Sequence, residues 1–163
     1  MANVEPWLRG TLTEVEPVRR AVLHSLEMAC EDAELWCDGL SEEELFARPA
    51  GLPSVAFQLR HIVRSLDRLL SYAEGRQLSD AQIAALKSEM DTGSRADVWQ
   101  EFRANLESAE SRVRAIQPES FYESRGVGRK MLPTIVVGLL IHCAEHTQRH
   151  VGQLVTTAKI LRA

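Results

Sequence analysis

Three of the five histidines, His142, His146 and His150, stand at successive four-residue steps, a spacing that on a helix sets them along one face. Side chains four apart lie roughly 6 Å from each other. Either His142 with His146 or His146 with His150 can therefore turn two ring nitrogens toward one metal ion. All three cannot serve a single ion, because eight residues of helix rise about 12 Å, so a third ligand must come from another element. Stepping 100° per residue along an earlier helix puts His61 off the core stripe, beside Phe57, Ser65, Arg68 and Tyr72 on a mixed face. His61 with two of the last helix's histidines is the candidate site. Three neutral imidazoles leave a fourth position for water or substrate, the mark of a catalytic rather than a structural metal site. His24, by contrast, points away from its helix's valine stripe, among Arg20, Glu27 and Glu31, and reads as a solvated surface residue.

Other chemistries compete for the same residues. A His-x-x-x-His pair also arises by chance as a hydrogen-bonded polar layer in a bundle. His142-Cys-Ala-Glu145-His146 matches the inverted zinc-protease string H-x-x-E-H, with Glu145 as general base, although a peptidase also needs a polymer groove. A ferritin-like di-iron site requires Glu-x-x-His pairs. The residues three before each histidine are Ala21, Gln58, Leu139, Cys143 and Thr147, which excludes it. Cys143 sits near the histidine face as ligand or nucleophile, while a helix cysteine is more often a small apolar packer. Gln153 lies in line with His146, placed to steady a ligand ring by a hydrogen bond. Arg125, Arg129 and Lys130 flank Gly126-Val127-Gly128, too short for a phosphate cradle; they meet an anionic substrate only if their loop covers the site, and a solvated turn is the plainer reading.

The elements that must position these residues are helices. Val15, Val18, Val22, Leu26, Ala29, Ala33 and Trp36 recur every three or four residues behind a capping-box pattern from Thr13 to Glu16. Ser41 to Glu44 repeats that signature over a short turn. A second long helix opens at Pro53, with Val55, Leu59, Ile62, Leu66, Leu69 and Ala73 as its core stripe. A weaker one starts at Ser79, and a third long one follows Ser94, with Val98, Phe102, Ala109, Val113 and Ile116 on one face. Around Gly126 the spacing suits a loop or a small hairpin, and the last helix runs from Pro133 to about Ile160. Trp36 and Trp99 read as core. Four long helices in one domain over residues 1–163 predict an all-α four-helix bundle with short connecting helices.

Composition narrows the function. The 163 residues are 45% hydrophobic and 26% charged, as suits a folded domain. With 19 basic against 23 acidic residues, the net charge of −4 offers no cationic surface for nucleic acid. The apolar run at 135–141 is far short of the roughly 20 residues a membrane span needs, and residues 1–10 lack a signal-peptide pattern. Three cysteines make no even disulfide framework. A cytoplasmic protein with reduced thiols, away from membranes, is expected.

The run His142-Cys-Ala-Glu-His146-Thr-Gln-Arg-His150-Val-Gly152-Gln153 resembles the last-helix signature of the DinB-like family of metal-dependent hydrolases and thiol-dependent S-transferases. Gln58-Leu59-Arg60-His61-Ile62 is similar to the segment that carries the family's first metal histidine, and the segment from Leu40 to Pro49 to its short connector. The resemblance implies an up-down-down-up bundle, commonly dimeric, with His61, His146 and His150 holding a divalent ion such as zinc, nickel or iron. His142 lies beyond that pattern, and with Glu145 and Gln153 it belongs to the expected surroundings of the ion. The implied activity is a metal-dependent enzyme acting on a small electrophilic substrate, with a low-molecular-weight thiol as cosubstrate or with water. The alternatives are a non-catalytic, stress-related metal-binding or interaction bundle and, behind it, an H-x-x-E-H metallopeptidase.

Overall fold

A computed structural model describes residues 4–163; residues 1–3 of the expected domain lie outside the described residues. Six α-helices and one two-stranded hairpin follow in chain order: α1 (Pro17–Cys37), α2 (Glu42–Phe46), α3 (Val55–Ala73), α4 (Asp80–Lys87), α5 (Arg95–Ala115), β1 (Ser124–Val127), β2 (Leu132–Ile135) and α6 (Val136–Leu161). The four long helices form a ring in which α6 packs on α1 and α3, and α5 closes the other side against both. This is the helical bundle with short connecting helices that the periodicity predicts. No helix among the described residues is long and apolar enough to cross a membrane.

Each long helix buries the stripe its sequence spacing implies. Val22, Leu26, Ala29, Ala33 and Cys37 of α1 meet Leu59, Ile62, Leu66 and Leu70 of α3, Phe102 and Val113 of α5 and Leu140 and Leu154 of α6 in one core. Leu70, rather than the expected Leu69, is fully buried on α3. Trp99 is buried, whereas Trp36 is partly exposed beneath the Lys159 ammonium, 4.2 Å from its ring centroid. Caps set the helix starts. Ser54 and Ser94 accept hydrogen bonds from Phe57 N and Asp97 N, and Ser41 and Ser79 form full capping boxes.

Three sequence expectations give way. α1 starts at Pro17 rather than Thr13, because the Glu16 carboxylate accepts from the Val18 and Arg19 amides and Pro17 takes the first helical position, where an N–H is not needed. α6 starts at Val136 rather than Pro133, since Pro133 instead pairs with Gly126 across the hairpin. The first amides of α6, Val136 N and Val137 N, donate to Glu123 O and Phe121 O, so the backbone just before β1 replaces a side-chain cap. His24 is only 6% exposed and contacts Thr11 Oγ1 at 3.2 Å. The segment before α1 folds back over the face that helical geometry assigns to solvent, and Arg9 ties it down through Glu27 and Glu31.

The hairpin lies against the C-terminal end of α3. Arg125 Nε donates to Ala73 O at 2.8 Å and Gln77 Nε2 to Gly126 O at 3.2 Å. At Gly126 the Met131 side chain lies close over the backbone, so that a Cβ would stand 2.5 Å from Met131 Cε and push that flexible side chain aside.

Candidate metal centre

α3 and α6 bring His61, His146 and His150 together, with one nitrogen of each within 4.8 Å of the others. His61 Nε2 and His146 Nε2 stand 3.1 Å apart. Two nitrogens each 2.0–2.1 Å from one tetrahedral ion would be separated by about 3.3 Å, so this spacing suits a shared ion. The ring centroids of His61 and His150 are 4.2 Å apart, and those of His146 and His150 are 4.5 Å apart. Phe57, one helical turn before His61, stacks on its ring at 5.2 Å and 17° and limits its rotation.

Acceptors outside the cluster orient two of the rings. His61 Nδ1 lies 2.7 Å from Glu89 Oε2 and donates to it, which leaves the Nε2 lone pair facing the other histidines. On the opposite side, Gln58 Nε2 donates to Gln153 Oε1 at 2.9 Å, so Gln58 Oε1 is the atom that accepts from His150 Nδ1 at 2.7 Å. His150 Nε2 is thereby freed as well. Gln58 is fully buried.

Glu89 follows α4, and three arginines spaced along α3 hold its segment in place. Arg60 donates to Asp91 O, Arg64 to Ala85 O and Ser88 Oγ, and Arg68 to Glu89 Oε1 at 2.9 Å. Burial opposes ionisation of Glu89, but the hydrogen bonds from His61 and Arg68 prevail and hold its carboxyl below the usual range. Burial, reinforced by neighbouring imidazoles and Arg149, pushes His146 and His150 down to about 4. Both rings are neutral at pH 7, the form in which histidine ligates metal.

The remaining candidates divide sharply. His142 borders the cleft beside His61 and His146, but its Nδ1 is taken by Glu145 at 2.9 Å. Glu145 is exposed and also accepts from Arg149 at 3.1 Å. Its carboxylate is engaged by His142 and Arg149 and is not part of the three-histidine group, so the H-x-x-E-H string reads as a surface pairing rather than a base beside a metal. Cys143 is fully buried in the core and its thiol is pushed up to about 12, which makes it a packing residue. Gln153 acts one residue further out than expected, on Gln58 rather than on a ring. Sequence reasoning missed Glu89 altogether and gave Gln58 no role, naming it only as the residue three before His61 and as the start of the segment that resembles the family's first histidine.

The cleft beside the cluster is about 320 Å³ and is lined by His61, Ser65, Arg68, Tyr72, His142 and His146 among others. Fold and site define a helical-bundle protein with a three-histidine centre suited to a divalent ion. The DinB superfamily matches residues 25–154, and the chain belongs to that superfamily. No curated protein matches it.

Proposed function

We propose that the protein is a metal-dependent enzyme in which His61, His146 and His150 hold one divalent ion and a small electrophilic substrate enters from the adjoining cleft. The observation that supports this reading is the convergence of three ring nitrogens within 4.8 Å, two of the rings oriented by Glu89 and Gln58. Donors that are all uncharged leave the charge of zinc, nickel or iron undiminished, and such an ion lowers the pKa of a thiol or water at the open position. The chain's own part is positional. Glu89 and Gln58 fix the tautomers, Phe57 restricts the His61 ring, and Ser65 Oγ lies 3.4 Å from His61 Nε2 at the cleft wall. Resemblance to thiol-dependent S-transferases supports a low-molecular-weight thiol as cosubstrate. In this reading the enzyme works in the cytoplasm as a homodimer, with neither nucleic acid nor membrane as partner; the net charge of −4 supports the former exclusion.

The test combines elemental analysis with turnover. Wild-type protein should carry about one equivalent of metal, and His61→Ala, His146→Ala and His150→Ala should each lose most of it, whereas His142→Ala should keep it. Metal-loaded protein mixed with cysteine, glutathione, bacillithiol or mycothiol and monochlorobimane should form conjugate above background, and His146→Ala should not. Stoichiometric metal without turnover of any thiol, ester or amide would favour the non-catalytic bundle. Metal content unaffected in all three variants would remove the site itself.

A further inference from the structure

The cleft at the histidines does not end there. A second cavity of about 550 Å³, beneath the hairpin tip, is lined by Tyr72, Gln77, Leu78, Ile83, Gly128, Arg129 and Met131, and it shares Tyr72 and Leu78 with the first. From His61 to Tyr72 the wall follows α3 for eleven residues, about 16 Å. Leu69, Leu78, Leu86 and Ile83 make the middle of this path apolar.

Among the described residues neither cavity has an aspartate or glutamate in its wall, whereas Arg68 and Arg129 line the two ends. Arg68 is already neutralised by Glu89 at 2.9 Å. Arg129 has no ion pair among the described residues, and it sits at the exposed tip of a hairpin that Arg125 and Gln77 fasten to α3. An unpaired cation at the rim of an apolar trough, whose own wall holds no carboxylate, selects an anion on an apolar stem.

We propose that the two cavities form one binding path for an elongated substrate. Its reacting end faces His61 and His146, its apolar body lies along Tyr72 and Leu78, and an anionic group at its far end pairs with Arg129. This inference deepens the proposed enzyme reading and rests on it for the reacting end alone; the anion site at Arg129 stands on the hairpin geometry.

The experiment compares a straight-chain ω-mercaptocarboxylate of about eleven carbons, long enough to span roughly this path, with the ω-mercaptoalcohol of equal length. Each is titrated into ¹³C-methyl-labelled protein, and the Leu78, Ile83 and Met131 methyl signals are followed. The carboxylate should bind about five- to tenfold more tightly than the alcohol, the range of an exposed to partly desolvated charged hydrogen bond. Arg129→Gln should erase that preference and Arg129→Lys should keep most of it, with metal content unchanged in both. Equal affinity for the two probes, or a preference that survives Arg129→Gln, would overturn the proposal. The same titration on His146→Ala separates the two readings: a carboxylate preference retained there supports the Arg129 site even if no metal-dependent turnover is found.

Discussion

Glu89 Oε2 and His61 Nδ1 lie 2.7 Å apart across 28 positions of sequence. The carboxylate is 4% exposed and its other oxygen is held by Arg68. A buried anion is costly unless it is paired, so the segment after α4 is tied to the orientation of one histidine ring. The pairing sets the His61 tautomer and makes that imidazole a stronger donor at Nε2.

Glu89→Ala should weaken zinc binding by roughly 10–100-fold, the usual loss when the partner of a ligating histidine is removed. Glu89→Gln, which still accepts a hydrogen bond but carries no charge, should fall between Ala and the wild type. Competition against a chromophoric chelator measures both. Unchanged affinity in Glu89→Ala would mean that the carboxylate serves only to neutralise Arg68.

The pH dependence of stability has a definite sign. In the fold His146 and His150 titrate at about 4 against an ordinary 6.5, so the unfolded chain takes up their protons first. Their contribution is fully present above pH 6.5 and is lost as the pH falls toward 4. Glu89, held below its ordinary value, adds a loss in the same direction at the acid end. Urea midpoints of metal-free protein should fall across this window, and His146→Gln should flatten the fall. Identical slopes for wild type and variant would contradict the shift.

Gln58 joins His150 to Gln153 from a fully buried position. Gln58→Leu removes the acceptor of His150 Nδ1 and the donor to Gln153, which is exposed and can turn to water, and should cost about 1 kcal/mol in urea unfolding while weakening metal binding by roughly tenfold or more. Gln58→Glu keeps an acceptor for His150 Nδ1 and should retain more of the metal affinity. A Gln58→Leu protein with wild-type affinity would show that the His150 ring is held by packing alone.

The amino-acid sequence by itself determined the four helices, through apolar residues recurring every three or four positions, and the last-helix histidine pairs, because residues four apart on a helix share a face whatever surrounds it. It also put His61 on a face distinct from the core stripe. Spacing alone left His142 with His146 and His146 with His150 equally open; the last-helix resemblance favoured the second pair, and the packing of α3 on α6 is what sets that turn opposite His61. It also supplied Glu89, which has no periodic signature because its position is enforced by three arginines reaching from another helix. His24 went from expected surface to interior for a similar reason, since helical periodicity describes a helix's own faces and carries no information about a distant segment that folds back across one of them. Proline at 133 permits either a helix start or an edge strand, and the backbone pairing with β1 decided in favour of the strand.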